Sequence, residues 1–128
     1  MSNEDAEALA IARRLIAEKK DSADGYQQSA SKFAIYPQDK GLEYLSLGLA
    51  SEAGEVAGKV KKIIRDKNGI LSDEDKQALA AELGDVLWYV AMLAQDMGVK
   101  LSYVFNKNID KLQVRMDNNT IGGSGDNR

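Results

Sequence analysis

The sequence predicts an all-α protein, a bundle of four to five helices in one domain. Three observations predict it. Proline occurs once, at Pro37. Alanine, leucine, lysine and glutamate are abundant while β-branched residues are scattered, a balance that favours helix over strand. Apolar residues recur at three- and four-residue spacing, the period of a helix with one buried face.

The elements follow in order. A first helix is expected from Glu4 to about Lys20. Its acids come early (Glu4, Asp5, Glu7) and its bases late (Arg13, Arg14, Lys19, Lys20), as the helix dipole prefers. Leu9, Ala12, Leu15 and Ile16 form its apolar stripe. Asp21 to Gly25 breaks the pattern, with Asp24 as a candidate cap. A short helix is expected from Tyr26 to about Ile35. Pro37 restricts Tyr36 to extended geometry, so Tyr36 to Gly41 reads as a loop. The next helix runs from about Leu42 to Arg65, with Leu42, Leu45, Leu49, Val56, Val60 and Ile63 on its core face. Asp66-Lys67-Asn68-Gly69 is a turn. Ser72 then heads Ser72-Asp73-Glu74-Asp75, a serine cap with acids in the first turn. That helix reaches about Met97 and stops at Gly98. Its stripe is Leu79, Leu83, Val86, Leu87, Val90, Leu93 and Met97. Ser102 is expected to cap a last helix, up to about Met116, with Val104, Phe105, Ile109 and Leu112 on its apolar side. The domain is thus 1–116, with 1–24 as an N-terminal extension. The glycine-rich tail 117–128 is expected to be disordered.

Composition limits the chemistry. The chain has 128 residues, a net charge of −3, no cysteine and no histidine. Without these two, a disulfide framework, a thiolate zinc site and an imidazole base are all excluded. The acidic balance argues against a nucleic-acid partner. No apolar run is long enough to span a membrane, and the acidic start is unlike a signal peptide, so the cytoplasm is the default location (the host's, if the chain is phage-encoded).

Two short acidic motifs remain. Glu52 and Glu55 lie one turn apart on one helix, Glu82 and Asp85 one turn apart on another, each pair with a glycine just before its second acid. A lone pair of this kind is usually a solvated face. Here Glu52 falls between Leu49 and Val56 on the core stripe, and Glu82 between Leu79 and Val86. A carboxylate facing a core is costly unless paired, protonated or metal-bound. Gly48, Gly54 and Gly58 each cost a helix about 1 kcal/mol relative to alanine. Close helix approach or room for an ion would offset that. Packed antiparallel, the two helices would bring four carboxylates together, a hard-cation site for Mg²⁺ or Mn²⁺. A ferritin-like di-iron site needs histidines that are absent.

Other candidates are weaker. Asn108, Lys111 and Arg115 form a polar and cationic stripe, and a last helix often ends in bases for its dipole alone. Beside a metal site such cations hold phosphate oxygens. Lys59 and Lys62 fit the same use, though solvated surface is their ordinary role. Trp88 and Tyr89 are by default core aromatics; Tyr89, one turn from Asp85, is also placed to stack on a nucleoside.

Together these strings resemble the MazG-like nucleotide pyrophosphohydrolases, whose signature is a Glu-x-x-Glu helix, a spacer and a Glu-x-x-Asp helix. The matching stretches are Leu47 to Glu55, Glu82 to Tyr89, and Asn108 to Arg115 with its asparagine, lysine and arginine. The likeness covers about Tyr26 to Arg115 and suits the short single-domain form of bacteria and phages. It implies hydrolysis of a nucleoside triphosphate to the monophosphate and pyrophosphate, with Mg²⁺ or Mn²⁺, two or more ions per site, on Glu52, Glu55, Glu82 and Asp85. Glu52 or Glu55 would take the proton of the attacking water, while Lys111 and Arg115 would hold the leaving pyrophosphate. It also implies a homodimer or dimer of dimers, with bundles completed between subunits. Gln27, Tyr36, Trp88 and Tyr89 could shape a nucleoside pocket without naming the base; a purine deoxynucleotide, dGTP, is the leaning. The alternatives are a phosphoribosyl-ATP pyrophosphatase and a non-enzymatic helical interaction module.

Overall fold

The structure is a computed structural model that describes residues 2–20 and 22–128; Met1, Asp21 and the side chains of 13–20 lie outside that description. Among the described residues there are five α-helices and no strand. They are α1 (Asn3–Lys20), α2 (Ala23–Ala30), α3 (Gly41–Lys67), α4 (Asp73–Asp96) and α5 (Leu101–Asp117). Short 3-10 turns at Ser31–Phe33 and Gln38–Lys40 carry the chain from α2 into α3. No helix among the described residues is long and apolar enough to cross a membrane.

Helix α1 begins where expected, with the Ser2 hydroxyl accepting from the Asp5 amide at 3.1 Å. Leu9, on its expected stripe, is exposed, and Leu15 and Ile16 lie outside the described side chains. The expected break at Asp21 also lies outside. Helix α2 starts three residues earlier than the pattern suggests and ends sooner. Its cap is Ser22, which accepts from the Gly25 amide at 3.0 Å, not Asp24. The Asp24 carboxylate reaches across the fold and accepts from the Ser102 amide at 2.9 Å and the Ser102 hydroxyl at 2.7 Å. Ser102 is therefore not the N-cap of α5. Lys100 holds that position without a side-chain cap bond, and Asp24 satisfies an orphan amide of the first turn from another helix.

Helices α3 and α4 form a long antiparallel hairpin. Contacts between Gly41 and Asp96, Lys59 and Glu82, and Lys67 and Asp75 run in opposite chain order. The turn between them is closed by Asn68 and Gly69, both in the left-handed region, with the Gly69 amide bonded to the Ile63 carbonyl at 3.1 Å. Gly48 is a point of close approach: a Cβ there would collide with the Tyr89 ring. The ring lies directly on the α3 backbone.

The core sits at one end of this hairpin. Leu45 and Met92 are fully buried, with Ala30, Ala91, Ala94 and Leu101 around them. Gln27 clasps three elements there. Its amide nitrogen donates to the Ala91 and Val99 carbonyls at 3.2 and 3.0 Å, and its carbonyl accepts from the Leu101 amide at 2.9 Å. Gln27 is thus spent on the fold, against the expectation that it borders a nucleoside pocket. Trp88 donates its indole N–H to the Ala30 carbonyl at 3.1 Å and packs on the same core.

The rest of the hairpin differs from the expected core. Ile63 is buried toward the turn, but Leu42 and Met97 at the core end, and Val60, Leu83 and Leu87 further along, are exposed. So are Phe105, Ile109 and Leu112 on α5; Phe105, with Val104, borders an open cleft with Tyr26, Leu87 and Val90. The helical period marks these positions correctly as apolar faces of their helices, but no other element among the described residues covers them. Of residues 117–128, expected to be disordered, Asp117 ends α5 and 118–128 form turns and bends, joined to α5 through Asp126 with Lys111 and Arg115.

Two predictions follow from the bonds that hold the helices. Gln27→Leu removes the side-chain partners of the Leu101 amide and the Val99 carbonyl and a second bond to the helical Ala91 carbonyl, and should cost roughly 2–3 kcal/mol in urea unfolding, at about 1–3 kcal/mol for an unsatisfied buried group. Asp75 is held by Lys67, at 2.8 and 2.9 Å, and by the Ser72 amide at 3.0 Å. Lys67 first and Ser72 second pull its carboxyl from 3.8 down to about 2. The folded state favours the charged form, so this stabilisation is complete above the unfolded value and lost as pH falls through the folded one. Asp75→Asn should melt lower than the parent at neutral pH, and the gap should close by about pH 2 in acid-titrated thermal melts.

Candidate metal centre

The antiparallel register of α3 and α4 sets Glu52 opposite Glu82 and Asp85. One carboxylate oxygen from each of these three lies within 4.8 Å of the others. Glu52 and Glu82 are half-buried and Asp85 is exposed, so the group opens to solvent on one side. Glu55, the fourth expected acid, is exposed and is not one of the converging three.

The arrangement is electrostatically unfavourable alone. The Glu52 carboxyl is pushed up, first by desolvation, then by the negative charges of Asp85, Glu82 and Glu55, and by a hydrogen bond with Glu82. Lys59 offsets part of this from 3.7 Å away on Glu82. Oxygen-only donors, crowded and under-neutralised, suit a hard divalent cation such as Mg²⁺ or Mn²⁺ and do not suit zinc. Glu52, Glu82 and Asp85 would hold it. Lys59 is then a neighbour of the acids; Lys62 lies further along α3, with Lys59 and Lys67 beside a small cavity over Ile63 and Leu79.

Aromatic side chains wall the site on the core side. Tyr89 is pinned on Gly48, and its phenol is pushed up by burial, by Tyr44 and by Glu52. Tyr26 is raised by burial and by Asp85. Trp88 meets Tyr89 edge-on with centroids 5.0 Å apart, Tyr36 meets Trp88 edge-on at 6.4 Å, and Tyr36 stacks on Tyr44 at 5.4 Å. Tyr26 and Tyr44 were not among the expected site residues. Tyr44 is legible in retrospect, because Tyr44, Gly48 and Glu52 repeat at four-residue spacing along one face of α3. Tyr26 is brought in from another helix, and no local pattern marks it.

The cationic stripe of α5 is elsewhere. Among the described residues, no hydrogen bond or ion pair joins Asn108, Lys111 or Arg115 to the three acids. Asn108 and Lys111 are exposed, and Arg115 is buried. Lys111 and Arg115 instead bind Asp126, each at 3.3 Å from its carboxylate.

The helical hairpin crowds carboxylates between two of its helices, and the comparisons give the chain a family. The MazG nucleotide pyrophosphohydrolase domain matches residues 40–120, which contain α3, α4 and α5. The chain belongs to that family. It is 53% identical over 111 residues to the Gene 37 protein of Mycobacterium phage L5, covering 82% of this chain and 97% of that one. No solved structure matches it.

The crowding at Glu52 makes a prediction. Its raised proton affinity means that its contribution to stability is present at low pH and is lost as pH rises through the folded value. Glu52→Gln should therefore raise the melting temperature of the metal-free protein at mildly alkaline pH. The same change should weaken Mn²⁺ binding at least about tenfold, since even groups that only support a ligand alter affinity by 10–100-fold. Differential scanning fluorimetry and Mn²⁺ titration calorimetry check both.

Proposed function

We propose that this protein hydrolyses a nucleoside triphosphate to the monophosphate and pyrophosphate, with Mg²⁺ or Mn²⁺ at Glu52, Glu82 and Asp85. The observation that carries the reading is the convergence of those three carboxylates inside a region that matches the MazG nucleotide pyrophosphohydrolase domain. A cation held there would neutralise phosphate oxygens, allow an anionic substrate to approach acids, and lower the pKa of a water. Two or more ions per site, with Glu55 joining from the rim, remain part of the proposal.

The chain's own residues then have definite tasks. Water adds to the α-phosphorus while the bond to the β-bridging oxygen breaks. Glu52 is assigned to take the proton from that water, because it stands beside the other two acids, where a cation-held water would lie. Glu55 is the alternative base. Lys111, Arg115 and Asn108 receive the negative charge of the departing pyrophosphate. Lys59 and Lys62 supply further positive charge along α3. Tyr89, with Tyr36 and Tyr44 near it, faces the nucleoside, and Trp88 supports Tyr89 from the core. A deoxynucleoside triphosphate is the proposed substrate, with the purine dGTP the first to test.

The exposed apolar residues support a further part of the reading. Leu83 and Leu87 on α4, and Phe105, Ile109 and Leu112 on α5, lie uncovered in one chain. Their burial against a second copy, in a homodimer or a dimer of dimers, would complete the bundle and bring a neighbour's α5 to the acids.

The experiment is pyrophosphate release from the eight common NTPs and dNTPs, with each metal. Metal-dependent release from a narrow set of nucleotides is expected, with Glu82→Gln and Asp85→Asn lowering kcat by at least about a hundredfold, the scale of losing one preorganised electrostatic group. Light scattering on the same preparation should give a mass of two or four chains. No release from any nucleotide by a folded, Mn²⁺-binding protein would overturn the catalytic reading. Ordinary release with a monomeric mass would overturn the assembly alone.

A further inference from the structure

The segment 118–128 is polar and rich in glycine, yet it is closed into a loop by its own bonds. Arg128 donates to the backbone carbonyls of Thr120, Ile121 and Gly122 at 3.0, 3.1 and 2.9 Å, and also to that of Gly125. Gly123 and Gly125 make the turns at φ of 89° and 87°, where a side chain would be strained. The closed loop lays Asp126 on α5. Its carboxylate spans Lys111 and Arg115, and its carbonyl accepts from Arg115 at 3.0 Å.

The consequence for Arg115 is specific. Its side chain is only 8% exposed, and its Nε is buried with no hydrogen-bond partner. A phosphate oxygen therefore cannot reach this guanidinium while the loop lies over it. The carboxylate in place is a weak occupant. Asp126 is 84% exposed, carries one charge, and leaves one donor of Arg115 unmet. A diphosphate brings more charge and more acceptor oxygens, and can satisfy that donor.

We propose that Asp126 is an internal stand-in for phosphate, and that the loop 118–128 must leave the Lys111–Arg115 corner before a diphosphate group can bind there. The loop is thus an autoinhibitory latch on α5. This rests on the reading that Lys111 and Arg115 take phosphate oxygens. The glycine turns make release inexpensive, and the ion pairs with an exposed acid are of the weak, salt-screened kind.

The test is calorimetric titration of the full chain with sodium pyrophosphate, without divalent metal and at low salt. Asp126→Asn keeps the shape of the side chain and removes its charge. It should bind pyrophosphate about three- to tenfold more tightly than the parent, the range expected for removing its two weak ion pairs, to Lys111 and Arg115. Arg128→Met opens the loop without touching the acid and should bind more tightly too. Lys111→Met should bind more weakly. Unchanged or weaker binding in Asp126→Asn, with Lys111→Met still weakened, overturns the latch and leaves the phosphate role of α5 intact. Unaltered binding in Lys111→Met overturns that phosphate role, and the latch with it.

Discussion

Helices α3 and α4 pass each other antiparallel, and their register is the constraint on which the site depends. Gly48 lets the Tyr89 ring rest on the α3 backbone. Lys67 and Asp75 tie the helices together at the turn. Between these two fixed points Glu52 has no choice but to face Glu82 and Asp85. A slip of one residue would rotate each acid by about 100° around its helix and disperse the cluster. The like-charge repulsion among the acids is thus stored by packing elsewhere, as strain at functional sites commonly is.

Much of this was legible in the sequence, and the reason is periodicity. The Ser72 cap is a local pattern read within four residues, and the structure has it with Asp75 closing the reciprocal bond. Glu52 and Glu82 sit between apolar residues at helical spacing, which located the crowding before any coordinates. The long-range contacts were not legible. Asp24 and Ser102 are 78 residues apart, and Gln27 meets Leu101 at a separation of 74. Each is a polar residue of ordinary local appearance whose partner is set by the tertiary fold alone. The same limit hid Asp126, whose neighbours suggested only a flexible polar tail.

Periodicity also over-counted the core. It marks which face of a helix is apolar, not what covers that face. Leu83, Leu87, Phe105 and Ile109 were correctly placed on apolar stripes and are exposed. The fully buried side chains are few, with Leu45 and Met92 the largest. So small a core makes polar clasps such as Gln27 count heavily, because each pairs backbone groups in a region that excludes water. Gly54 and Gly84 belong to the same account. A Cβ at either would meet nothing within 4 Å, so close packing inside one chain does not explain them.

Trp88 is the only tryptophan in the chain. It touches Tyr89 on one side and Tyr36 on another, and is anchored to the core through Ala30. Its indole therefore sits one side chain away from the ring that lies beside Glu52. The fold has in effect placed the chain's one indole behind the wall of the acidic cluster. Emission excited where the five tyrosines do not absorb comes from this one position beside the wall.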